Sequence, residues 1–112
     1  MNSGQDLFLE LQHKISLLDT ALGELGKSSN KHAEAEMNYR VKLAEKILIE
    51  REEGTPVTII SDICRGYKEI ARLKFERDCA EVSFKASLEA INVFKIQIKS
   101  LEAQMDREYN RR

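Results

Sequence analysis

The chain has one proline, Pro56, five glycines, two cysteines and no tryptophan among its 112 residues. So little turn chemistry leaves scant material for a fold of many short strands, whose connections draw on glycine and proline. Two cysteines, Cys64 and Cys79, are too few for a disulfide scaffold, and without a histidine cluster nearby they are expected to be buried thiols of a cytoplasmic protein. No apolar run has the length of a membrane span, and Met1 to Leu11 lacks the basic residues of a secretory signal. An excess of one charge is missing as well. Residues 1–30 hold four acids against two bases, residues 31–53 six against five, and residues 54–112 nine against eleven. No region attracts a polyanion by charge alone.

What is present is helical periodicity. Phe8, Leu11, Ile15, Leu18, Leu22 and Leu25 recur in steps of three and four, which predicts a first helix over residues 1–30. Ser3 with Asp6 resembles a capping arrangement at its start, and Gly26 to Asn30 has the small polar composition that ends or loosens a helix. A second helix is expected over residues 31–53, with Ala33, Met37, Val41, Ala44 and Leu48 on its apolar stripe and Tyr39, Leu43 and Ile47 widening it. Whether the two are separate or one bent rod stays open, since no proline intervenes. Gly54 suits the position after a helix end, where glycine takes the left-handed conformation most easily. Residues 54–66 are expected to form a corner: an extended turn at Pro56, then a short helix capped by Thr58 or Ser61 and closed by Gly66. A strand at Val57 to Ile60 is the alternative, with nothing else in the chain to pair with it.

Residues 67–109 form the longest pattern. Steps of seven from Ile70 give Ile70, Arg77, Phe84, Ile91, Ile98 and Met105, and steps from Leu73 give Leu73, Ala80, Ser87, Phe94, Leu101 and Glu108. Nine of these twelve are apolar, so the seam is of coiled-coil kind. Phe75, Cys79, Val82, Ala86, Val93 and Ile96 fall on the opposite side of the same helix. A helix apolar on two opposed faces must be sandwiched, and at about 1.5 Å per residue this one exceeds what the second helix can cover. The fold class expected is all-α: a single domain forming an elongated, coiled-coil-like bundle of two shorter helices, a corner and one long helix. A homo-oligomer, most simply a dimer, should pack along the seam of Ile70, Leu73, Phe84, Ile91, Phe94, Ile98, Leu101 and Met105.

No motif carries chemistry. Ala21-Leu22-Gly23-Glu24-Leu25-Gly26-Lys27-Ser28 matches a relaxed P-loop, but a P-loop needs a preceding strand and a parallel sheet, and here the string completes a helical stripe. His13 and His32 stand apart from other ligand types, so no metal site is expected. Cys64 and Cys79 have no histidine near them in sequence, so no nucleophile is expected, nor any cofactor. The corner could serve as a helix-turn-helix, with Arg65, Lys68, Arg72, Lys74 and Arg77 meeting phosphates, although Glu69, Glu76 and Asp78 interleave with them. Arg107, Arg111 and Arg112 form a small basic tip that also suits a helix terminus.

Ala33-Glu34-Ala35-Glu36 to Tyr39-Arg40, the block Glu53 to Thr58 with Arg65-Gly66, Ala71 to Asp78, and Glu89-Ala90-Ile91-Asn92 resemble a family of small helical accessory proteins, themselves uncharacterised, of bacteriophages and prophages of Gram-positive bacteria. The resemblance covers roughly residues 30 to 109 and implies expression in the cytoplasm of a bacterial host. It brings no catalytic residue. The function expected is contact with a host or phage protein, as an adaptor or an inhibitor of a host enzyme or defence complex, through Arg65, Lys68 and Arg72 on the corner. The alternative is a nucleic-acid-binding factor of phage replication or recombination.

Overall fold

The computed structural model describes residues 4–110, which form three helices: α1 (Gly4–Glu52), α2 (Val57–Gly66) and α3 (Lys68–Asn110). Ser3, Arg111 and Arg112 lie outside the described residues. Among those described there is no strand, and Val57 to Ile60 open α2. No helix among them is long and apolar enough to cross a membrane.

The two shorter helices expected at the amino end are one helix of 49 residues. Gly26 to Asn30 lower helix propensity by no more than about 1 kcal/mol each, and without a proline that is too little to interrupt a helix anchored on both sides. Gly23 and Gly26 lie inside α1, so the P-loop-like string spends its amides on the helix.

α1 ends in a Schellman arrangement. Gly54 has φ 85°, its N–H donates to the Arg51 carbonyl at 3.2 Å, and the Thr55 N–H donates to the Glu50 carbonyl at 3.0 Å. Pro56, at φ −57°, already has a near-helical φ, so α2 starts directly after it. No side chain caps this start, and Thr58 and Ser61, expected there as caps, lie within the helix. Tyr67 is extended (φ −63°, ψ 136°) and separates α2 from α3.

The described chain divides into two compact units: residues 4–27 with 85–110, and Ser28–Phe84. In the first, Leu7, Ile91 and Leu101 are buried. In the second, segments of all three helices contribute Tyr39, Ile60, Cys64, Ile70 and Ala80 to the core. The α1 and α3 segments of this second unit run antiparallel: His32 stacks on Phe84 with ring centroids 5.8 Å apart, and Tyr39 meets Arg77 further along.

The α3 seam is covered within the single chain: Ile70, Ile91 and Leu101 are buried, and Leu73, Phe84, Phe94, Ile98 and Met105 are half-buried. The chain's own segments thus account for much of the cover along the seam on which the dimer contact was expected. On α1 the packed line differs from the expected stripe. In residues 4–27 it runs through Leu7, Leu11, Lys14, Leu18, Ala21 and Leu25, while Phe8, Ile15 and Leu22 are exposed. In residues 28–52 it runs through His32, Ala35, Tyr39, Leu43, Lys46 and Glu50, and Met37, Val41 and Leu48 face outward. The opposite stripe of α3 is bare too, with Phe75 67 % and Val82 68 % exposed.

Candidate functional site

The second unit carries two different surfaces, separated by the packed lines of its helices. On α1, Glu36 and Arg40 lie to one side of Tyr39, and Glu34, Asn38 and Val41 to the other. On α3, Lys74 lies to one side of the line through Leu73, Arg77 and Ala80, and Glu76 and Cys79 to the other.

The first surface is a basic pocket of about 430 Å³ where α1, α2 and α3 meet, lined by Glu36, Tyr39, Arg40, Arg65, Lys74 and Arg77 with Leu43 at its edge. Arg77 is its centre. It occupies a seam position that apolar patterning assigns to a hydrophobe, yet its guanidinium lies 4.5 Å from the Tyr39 ring centroid, a favourable cation–π placement. Its Nε is 3.5 Å from Glu36 Oε2 and its Nη2 is 3.2 Å from Asp78 Oδ1. Glu36 accepts from Arg40 Nε at 2.6 Å, and Asp78 accepts from Lys74 Nζ at 3.0 Å. The Arg40 hydrogen bond, followed by the Arg77 charge, holds the Glu36 carboxyl below its usual range. Lys74 first and Arg77 next do the same for Asp78. Arg65 has no ion pair among the described residues.

The second surface is an apolar groove with a rim of both signs. One stretch is lined by Lys31, Glu34, Ala35, Asn38, Phe75, Glu76, Cys79, Ala80 and Ser83, and the next, sharing Asn38, by Met37, Val41, Lys42, Glu69 and Leu73.

A clamp at the corner holds these surfaces in place. Glu50, only 6 % exposed, accepts hydrogen bonds from the Thr55 hydroxyl at 2.6 Å and from the Tyr67 hydroxyl. Lys46 Nζ sits 4.7 Å from the Tyr67 ring centroid. The Thr55 bond, then the Tyr67 bond, holds the Glu50 carboxyl below its ordinary value; accepting from Tyr67 also raises that phenol. Helical patterning places Glu50 on the polar side of its helix, and no local signal marks it, because one partner is 17 residues away.

Of the three partner residues expected on the corner, only Arg65 enters the basic pocket. Arg72 turns to Glu76, with Nε 3.3 Å from Oε1. Lys68 and Arg72 lie on the other side of α3 from Lys74, so the five-residue basic flank is divided. Arg40, on α1, is the member that sequence reading missed. Burial, then the Glu50 charge, pushes the Cys64 thiol up and makes it a poor nucleophile, while Cys79 is exposed in the apolar groove. Among the described residues no group of three or more His, Cys, Asp or Glu side chains could hold a metal ion. No protein-family model, curated protein or solved structure matches the chain.

Proposed function

We propose that the protein works by contact rather than catalysis: a phage accessory factor that pairs with a second copy of itself and presents a face to a host or phage protein, as an adaptor or as an inhibitor of a host enzyme or defence complex. The observation that carries this reading is the uncovered apolar groove of the second unit, where Met37 is 57 %, Val41 50 % and Phe75 67 % exposed. Soluble chains seldom leave contiguous apolar surface in water. The phage setting rests on the resemblance of residues 30 to 109 to that family.

The rim favours a second copy as occupant. Along α1 the order Lys31, Glu34, Asn38, Lys42, Glu45 reverses its charges about Asn38. An antiparallel copy on a two-fold axis through Asn38 sets Lys31 opposite Glu45 and Glu34 opposite Lys42, so the surface is self-complementary as an isologous dimer requires. The division of the basic residues argues against a nucleic-acid track, because Lys68 and Arg72 sit apart from Arg65.

Solution mass tests the proposal. The wild-type chain should have twice the chain mass at micromolar concentration, and Phe75→Glu, at a site exposed in the single chain, should yield a helical monomer. Reversing Lys31→Glu should weaken the dimer, and adding Glu45→Lys should restore it. A monomeric wild type, or a Phe75→Glu dimer of undiminished affinity, would sink the reading.

A further inference from the structure

We propose that the basic pocket of the second unit is a binding site for a single dianionic oxyanion of the phosphate class, either free phosphate or a phosphomonoester. Three observations converge on it. First, the charges do not balance: Arg40, Arg65, Lys74 and Arg77 are answered only by Glu36 and Asp78, leaving two positive charges where three helices meet. A phosphoryl group, at about −1.5 to −2 near neutral pH, matches that surplus. Second, Arg65 lines the cavity without an ion pair among the described residues, so its guanidinium can take a ligand without breaking an internal bond. Guanidinium forks bind phosphate oxygens in a bidentate manner, and three of the four cations are arginines.

Third, the guanidinium of Arg77 is already oriented. It lies over the ring of the buried Tyr39 and is held between Glu36 and Asp78, so little freedom is lost on binding. Glu36 and Asp78 each bridge two cations, which keeps like charges together in the empty site. The same carboxylates repel any further phosphate beside the first, so the site takes one group rather than a polynucleotide backbone. Leu43, half-buried at the edge, gives the pocket an apolar side for the carbon end of an ester.

Titration calorimetry of the full chain with inorganic phosphate and, separately, with O-phospho-L-serine tests this at constant ionic strength. Saturable binding of one equivalent per chain is expected. Removing one charge-assisted contact by Arg65→Gln should weaken it by roughly tenfold. Lys68→Gln, on the other side of α3, should leave it unchanged. Tighter binding of phosphoserine than of phosphate would assign the site to a phosphorylated partner, and equal binding to free phosphate; either supports the site. Absence of binding by both ligands at millimolar concentration would overturn it, as would equal affinity in Arg65→Gln. Tight binding of a single-stranded oligonucleotide with a salt slope equal to several phosphate contacts would also overturn it. Because the dimer is read from solution mass and this site from anion titration, either can fail without the other.

Discussion

The two units solve the same packing problem with different chemistry. Residues 4–27 and 85–110 bury Leu7, Ile91 and Leu101 where two helical segments meet. Residues 28–84 recruit a third helix and answer the polar groups on the packed lines: Arg77 with Tyr39 and Glu36, Glu50 with Thr55 and Tyr67, His32 with Phe84. Apolar contact is non-directional and tolerates slippage, whereas hydrogen bonds and ring stacking specify who meets whom. The pairings of the second unit therefore specify its register.

Two isoleucines of α3 give the largest expected difference. Ile70, in the second unit, is 0 % exposed, and Ile91, in the first, is 5 % exposed. Truncating a buried isoleucine to alanine removes transfer energy and leaves a cavity, for about 2–5 kcal/mol in all. A seam between two helical segments can close over such a cavity more readily than a core built from three helices. Ile70→Ala should thus fall at the upper end of that range and Ile91→Ala at the lower end, read by denaturant unfolding followed by circular dichroism. Equal losses would mean that the third helix adds nothing to the packing of its unit.

The same contrast explains what could be read from the residues. The α3 seam was legible because its sevens continue without a skip from Ile70 to Met105, and only Arg77, Ser87 and Glu108 interrupt its apolar character. The α1 face was half legible. Its expected stripe shares Leu11, Leu18 and Leu25 with the packed line, but periodicity alone does not say which edge meets a partner, and Lys14 and Ala21 look like surface. In residues 28–52 only the widening residues Tyr39, Leu43 and Ile47 of the expected face are covered. Met37, Val41 and Leu48 are exposed, while His32, Lys46 and Glu50 occupy the packed line, where each finds an aromatic or hydroxyl partner far along the chain. Arg65 was legible as a corner cation, but the pocket was not, since Arg40 reaches it from α1 through tertiary packing.

Acid should separate the units next. Glu36, Glu50 and Asp78, all in the second unit, are held below their ordinary values by hydrogen bonds and cations. A carboxylate with a depressed folded pKa stabilises the fold fully above its unfolded pKa, here 4.5 for the glutamates, and that stabilisation is lost as pH falls through the folded value. On acidification from neutral to about pH 3, amide exchange should accelerate in residues 28–84 before residues 4–27 and 85–110. Glu50→Gln should lower the melting temperature at neutral pH, by less than Ile70→Ala, and flatten the acid dependence. Uniform loss of protection across the chain would show that the polar contacts do not distinguish the units.

Gln97 provides the finest test. It lies on the packed side of α3 in the first unit, and its side-chain Oε1 is buried without a hydrogen-bond partner. A buried acceptor left unpaired forfeits its solvation, so an apolar group of similar shape stabilises the fold by about 1 kcal/mol. Gln97→Leu should therefore raise the unfolding midpoint slightly, whereas Glu50→Leu, which strands the hydroxyls of Thr55 and Tyr67, should lower it. Opposite signs would follow directly from the difference between these two side chains: Glu50 is paired and the Gln97 Oε1 is not. A destabilised Gln97→Leu would mean that the first unit, too, depends on a polar contact at that position.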